Sequence, residues 1–264
     1  MNKNDQTITE KLTLFWHNHF VISEAGHANM NWQYLTKLRD LGLGDFKELT
    51  KQMTIDRSML IYLNGTTNFA DEPNENYARE LLELFTIGKG PLVAPGDYTT
   101  YTEQDVAAIA RALTGWSAWS GDDPNAVFYY SWGHDQNDKQ LSHRFNNQVI
   151  VDEAEDEYKT VIDIIFEKDE VAHHICRRLY IWFVHYEITD TIESEVITPM
   201  AQILLDNNYQ IQPALEALLK SEHFFSMATR GCMIKGSLDF FFSAVNTFQV
   251  QLPVDLYEEY DAWV

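Results

Sequence analysis

Cysteine is scarce in this chain, because Cys176 and Cys232 are the only two among 264 residues. They lie far apart and form neither a CxxC motif nor the spacing of a Cys/His finger. The sequence therefore encodes neither a disulfide scaffold nor a structural zinc site. The spacing leaves open whether the two thiols meet in space.

Positive charge is also in short supply, since 19 Lys and Arg residues stand against 40 Asp and Glu residues. The formal net charge of −21 repels a phosphate backbone and an anionic membrane surface. We therefore expect no nucleic-acid ligand. The acidic composition is compatible with a saline or cold habitat, with calcium or cationic partners, and with a need for solubility.

Long apolar runs are missing as well. Residues 1–10 are polar and lack the apolar segment of a signal peptide, and no apolar run is long enough to cross a membrane. We predict no membrane insertion, and the cellular location stays open.

The chain has no repeat or linker and has the 45% hydrophobic content of a globular protein. We predict a single helical domain over residues 1–264.

Several well-known catalytic motifs are absent. The chain has no GxSxG elbow, no phosphate-binding loop, no GxGxxG turn and no HExxH motif. The common hydrolase, nucleotide-binding and zincin classes therefore find no support in the sequence.

Apolar residues recur with helical periodicity along most of the chain. The first such stripe starts near Thr9, and its helix is apolar almost all round. An aromatic stretch near residues 126–132 favours a short strand instead. We predict an all-α fold, mainly α-helical, with a short extended or β insertion near residues 126–132.

Two local signals fix parts of this fold. Thr102 and Asp105 have the spacing of a capping box, so a helix should follow them and end before Gly115. Near the other end, three consecutive phenylalanines at 240–242 indicate a last helix that packs in the interior.

In the segment from Asn74 to Gly88, charged residues are interspersed with apolar residues more densely than elsewhere in the chain. It predicts one helix, with a start signal at Pro73 and a stop at Gly88. The predicted buried stripe consists of Tyr77, Leu81, Leu84 and Phe85.

The opposite face of this helix carries a column of charges at four-residue intervals. The column favours a solvated ladder of ion pairs, and a carboxylate cluster in a cleft is the alternative. Its members are Glu75, Arg79 and Glu83, with Glu80 beside them.

Histidines supply the other candidate ligands. His17 and His19 lie about 200° apart on a helix, so both bind one ion only if the helix is distorted. His134 and Asp135 lie in a polar loop, where they can supply a metal ligand or a general base, or form a simple turn. Imidazole and carboxylate ligands of this kind suit iron, manganese or zinc.

Five motifs occur in the order found in a known family. The chain resembles the bacterial domain-of-unknown-function family numbered 1800, over most of its length. The motifs are LFWHNHF at 14–20, PNENYAREL at 73–81, YTEQDV at 101–106, ARALTGW at 110–116, and His134-Asp135 with Lys139.

This resemblance implies an all-helical bacterial domain and, for many members, export from the cytoplasm. It also implies a sulfatase-like gene neighbour as a possible protein partner. Family members usually have a further helical segment before WHNHF, so this chain is expected to be an N-terminally truncated form.

Two functional hypotheses follow. The first is a metal-binding domain or metal-dependent enzyme with a divalent transition metal as cofactor. In this hypothesis the ion is held by His17 or His19 together with Glu80 or Glu83. Asp135 orients His134. Arg79 or Arg111 balances the charge or holds an anionic substrate. The second is a non-catalytic domain that binds a protein or a polysaccharide through an acidic surface with Trp116, Trp119 and Trp132.

Overall fold

The fold is described by a computed structural model over residues 8–23, 28–118 and 127–250. These residues are mainly helical, which confirms the predicted fold class. The α-helices of the described residues are α1 (Thr9–His19), α2 (Ala28–Leu41), α3 (Phe46–Thr54), α4 (Arg57–Tyr62), α5 (Asn76–Glu80), α6 (Glu103–Ala112), α7 (Glu157–Ile165), α8 (Glu170–Phe183), α9 (Asp190–Ile192), α10 (Thr198–Asp206), α11 (Ile211–Leu219) and α12 (Ser237–Thr247).

The strands of the described residues form three small antiparallel pairs. They are β1 (Leu92–Ala94) with β2 (Asp97–Tyr98), β3 (Trp116–Ala118) with β4 (Val127–Tyr129), and β5 (Lys139–Gln140) with β6 (Val149–Ile150). Strand β4 confirms the predicted extended segment near residues 126–132 over Val127–Tyr129, whereas Ser131–Gly133 form a 3₁₀ turn. Ala126 and Trp119 lie outside the described residues.

One continuous hydrophobic core runs from α1 to α11. Trp16 of α1 lies at its centre, fully buried, with its indole N–H donating to the Gly42 carbonyl at 2.8 Å and its ring stacked on Phe46. A Cβ at position 42 would come within 2.6 Å of the indole ring. Glycine is therefore required there for α1 to pack this closely.

The central helix changes its winding halfway. After α5, residues Leu81–Thr86 form a π-helical turn, in which each N–H bonds to the carbonyl five residues earlier. The change rotates the faces that follow it, so Leu84 is 51% exposed and the prediction that it is buried is wrong. Tyr77, Leu81 and Phe85 are buried as predicted.

Two histidines from other helices hold this π turn. The Nε2–H of His19 donates to the Phe85 carbonyl at 3.0 Å, and the Nε2–H of His174 donates to the Leu84 carbonyl at 2.9 Å. These carbonyls thus have partners from outside the turn.

The capping box at the start of α6 is confirmed. The carboxylate of Asp105 accepts from the backbone N–H and the hydroxyl of Thr102, at 2.7 and 2.9 Å. It also accepts from the N–H and the hydroxyl of Ser142, both at 2.7 Å. This buried carboxylate therefore fixes the 139–145 segment against α6.

The last described helix, α12, contributes nothing to the core. None of its residues is buried, and Phe240, Phe241 and Phe242 are all exposed. The prediction that they pack in the interior is wrong, because an apolar run predicts burial only where another element covers it. In the described residues no helix has the length and apolar character to cross a membrane.

Candidate functional site

His134 is the centre of a buried polar cluster. It follows a short 3₁₀ turn, Ser131–Gly133, which directs its ring inward. Its Nδ1 lies 2.9 Å from the carbonyl oxygen of Thr114, and its Nε2 lies 3.0 Å from Oε2 of Glu157. Because a carbonyl only accepts, Nδ1 carries a proton and Nε2 is the nitrogen that faces the carboxylate.

Glu157 is the first residue of α7 and is fully buried. Its partner is the equally buried Lys139 of β5, whose Nζ lies 2.6 Å from Oε1 and 2.9 Å from Oε2. The lysine also donates to the backbone carbonyl of Asp135. A buried carboxylate needs this compensation, since an unpaired charge away from water is costly.

Asp152 completes the cluster and connects it with solvent. Its Oδ1 lies 3.5 Å from Nε2 of His134, and its side chain is 36% exposed. Ligand atoms of His134, Asp152 and Glu157 all lie within 4.8 Å of one another. In residues 8–23, 28–118 and 127–250 no other group of three His, Cys, Asp or Glu side chains meets this criterion.

The charges of the cluster favour a protonated His134. Burial lowers the pKa of His134, but its hydrogen bonds to Glu157 and Thr114 outweigh burial and hold the net pKa above the ordinary value. When His134 is protonated, two positive groups, His134 and Lys139, face the carboxylates of Glu157 and Asp152. In that state the cluster is balanced in charge.

Asp135 lies beside this cluster but its carboxylate points elsewhere. It accepts from Nε of Arg111 at 2.6 Å and from the backbone and side-chain N–H groups of Asn137 at 3.0 and 2.7 Å. Burial alone would raise the pKa of Asp135, but these donors hold it below its ordinary range. His134 is oriented by Thr114 and Glu157 rather than by Asp135.

None of the four sequence-predicted metal ligands belongs to the group of ligand atoms around His134. His17 packs edge-on against the ring of Tyr34, and His19 is buried at the π turn. Glu83 accepts from the hydroxyl of Tyr101 and from Lys89. Glu80 is half-buried, and burial, with Glu83 nearby, raises its pKa.

Arg79 connects the charged column to α6. Its guanidinium forms two hydrogen bonds to Glu103, at 2.9 and 2.6 Å, and one to Glu75 at 3.1 Å. The Nη1 of Arg79 lies 3.8 Å from Oε1 of Glu83. The column is therefore a ladder of ion pairs on this helix face.

A cavity of about 920 Å³ opens between the π turn and α8. Its wall is polar and mixes both signs of charge, including the ion pair of Arg177 with Glu193 at 2.8 and 2.5 Å. Of the sequence-predicted ligands, Glu83 lies in this wall. Lys89, His173 and His174 line the same wall.

The tryptophans of the second hypothesis have different environments. Trp116 is half-buried against Tyr129 and Tyr158, whereas Trp132 is 76% exposed.

Comparison with known proteins bears on the whole chain. The family described as "Protein of unknown function (DUF1800)" matches residues 1–262 of the 264. The chain belongs to this family. No curated protein and no solved structure matches it.

In this DUF1800 chain, sequence reasoning missed Asp152 and Glu157. Both lie in an acidic run that is typical of a solvated helix start. One signal for Glu157 was present, because it precedes Val161, Ile164 and Ile165 by four, seven and eight residues. A carboxylate on the buried stripe of a helix needs a buried partner. Asp152, outside any helix, has no such signal.

Proposed function

We propose that this protein is a metal-binding domain in which His134, Asp152 and Glu157 hold one divalent transition metal ion. The observation that carries the proposal is the approach of their three ligand atoms to within 4.8 Å of one another. One imidazole nitrogen and two carboxylate oxygens suit zinc, iron or manganese.

The surroundings of His134 support the proposal. Metal-binding histidines commonly donate their other ring N–H to a carbonyl or carboxylate, which fixes the tautomer. The Nδ1–H of His134 donates to the Thr114 carbonyl in this way. Nε2 is thereby directed at the carboxylates, and the partly exposed Asp152 gives an ion a route from solvent.

Lys139 competes with the metal ion for the carboxylate of Glu157. Its ammonium contacts both oxygens of Glu157, so a metal must share this carboxylate with Lys139. A bound ion also displaces the Nε2 proton of His134. Metal affinity should therefore rise with pH.

Three protein ligands leave coordination positions open for water or for a substrate oxygen. A metal in such a position lowers the pKa of bound water and polarises a bound carbonyl. The buried His134 and Glu157 would hold the ion in place, and the exposed side of Asp152 is where a substrate would approach.

Elemental analysis of protein purified without tag or chelator, and then incubated with Fe²⁺, Mn²⁺ or Zn²⁺, tests the proposal. We expect about one equivalent of metal in the wild type and much less in Asp152→Asn, which changes a partly exposed residue and should preserve the fold. Asp156→Asn is the matched control, since Asp156 pairs with Lys159 instead.

Metal content that is equal in wild type, Asp152→Asn and His134→Gln would refute the proposal. So would the lack of metal in all of them after incubation. The cluster would then be a charge-balanced structural network in which Lys139 is the resident cation.

A further inference from the structure

A row of aromatic side chains lies on the surface next to the β3–β4 pair. The ring of Trp132 is parallel to that of Phe69, with an interplanar angle of 8° and 5.6 Å between centroids. Tyr130 lies 5.5 Å from Trp132, and Phe128 lies 6.4 Å from Tyr130. We call Phe69, Phe128, Tyr130 and Trp132 the aromatic row.

The backbone under this row is held firmly. The N–H of Ala70 donates to the Gly133 carbonyl at 2.8 Å, and the N–H of Tyr130 donates to the Gly115 carbonyl at 2.8 Å. A Cβ on Gly133 would come within 2.6 Å of the Phe69 ring. The two turns that carry Phe69 and Trp132 are thus packed directly against each other.

The row exposes Trp132 to 76% and Phe128 to 38%, while Phe69 and Tyr130 are partly buried beside them. Exposed aromatic rings side by side on a rigid support are unusual for a surface without a ligand. Single exposed apolar residues are ordinary, whereas contiguous ones mark a binding surface. Tryptophan and tyrosine offer large, rigid contact area at a low cost in conformational entropy. The exposed ring of Trp132, supported by the rest of the row, therefore has the properties of a preformed surface on which a flat ligand face can stack.

The charge of the molecule selects among flat ligands. Proteins that stack nucleic-acid bases on aromatic rings also have a basic groove for the backbone, whereas this chain has a net charge of −21. Acidic polysaccharides are repelled for the same reason. An uncharged sugar chain meets no such repulsion.

The small size of the row also decides against a protein partner. Stable protein interfaces bury about 800 Å² on each side around an apolar centre, but polar and charged side chains border this row. Asp71 and Glu72 are exposed in the turn of Phe69, and Ser131 is exposed between Tyr130 and Trp132. Such groups are suited to bind the hydroxyls of a sugar whose C–H face lies on an aromatic ring.

We propose that the aromatic row binds an uncharged polysaccharide, with a sugar ring stacked on Trp132. The proposal is independent of the metal cluster. Affinity electrophoresis tests it, in native gels that contain dextran, laminarin, glucomannan or hydroxyethyl cellulose. The wild type should be retarded by at least one of them.

Trp132→Ala should weaken this retardation about tenfold, because a stacking partner of that kind is lost. Trp32→Ala is the matched control, since Trp32 on α2 is 70% exposed and lies outside the row. Both variants should keep the thermal stability of the wild type. Asp152→Asn should bind the polysaccharide normally, so that failure of the metal proposal is distinguished from failure of this one.

Three results would overturn the inference. They are the absence of retardation by all four polysaccharides, equal retardation of Trp132→Ala and wild type, and retardation by heparin or polylysine alone. The last result would assign the row to a charged partner.

Discussion

His174 shows how a single side chain ties stability to pH. Burial lowers its pKa, Arg178 and Arg177 lower it further, and the hydrogen bond to the Leu84 carbonyl only partly opposes them. The folded protein therefore binds a proton at this ring less readily than the unfolded chain does.

We expect this histidine to reduce stability in acid. The unfolded ring takes up its proton near pH 6.5, so stability should fall as the pH drops through that value. The loss should end below the lowered folded pKa. The melting temperatures of wild type and His174→Gln, measured between about pH 8 and pH 5, should show a smaller acid loss in the variant. Parallel curves would contradict this expectation, and His143→Gln, which changes a more exposed histidine, is the control.

At the same scale, the sequence predicted part of the candidate site. His134 was a candidate because a loop can direct a histidine at any point. The partner of that ring was not predictable, since Glu157 follows it by 23 residues and reaches it only once α7 packs against the core. Local sequence indicated Asp135 instead, but a neighbouring arginine binds that carboxylate.

Among the elements, regular helices were predictable and the irregular ones were not. The capping box of α6 depends on residues three apart, so the sequence contains the whole signal. The π turn depends on His19 and His174, which are distant in sequence. Periodicity alone therefore predicted a continuous α-helix and a buried Leu84.

The helix α12 gives a prediction at this scale. Phe240 is 68% exposed, and a partly buried ion pair connects Asp239 of α12 with Lys11 of α1. We expect Phe240→Ser to change the free energy of unfolding by less than about 0.5 kcal/mol. Phe85→Ala, in the core, should cost about 3–5 kcal/mol.

Denaturant unfolding measures both variants. A loss of more than about 2 kcal/mol for Phe240→Ser would mean that another part of the molecule covers α12 in solution. The Phe85→Ala variant shows that the assay detects lost burial.

For the whole molecule, composition predicted a globular protein, and the helical periodicity of its apolar residues predicted a mainly helical fold. Helical stripes from Leu12 to Leu218 form the continuous core. The sequence could not predict which residues from different helices converge on one site, because their convergence depends on the packing of every helix between them.

The acidic composition gives a prediction for the whole molecule. A net charge of −21 destabilises a compact chain through self-repulsion, and salt screens that repulsion. The melting temperature should rise by several degrees between about 20 mM and about 300 mM NaCl. KCl should act equally, since the effect is one of screening. A melting temperature that falls with salt would mean that surface ion pairs outweigh the repulsion.

The π turn also bears on the order in which the chain folds. Its two supporting histidines lie 66 and 90 residues from the carbonyls they bind, one before the turn and one after it. Contacts between such distant residues form slowly, because a long loop must close first. The turn should therefore reach its final winding late, after α1 and α8 have docked on either side of it.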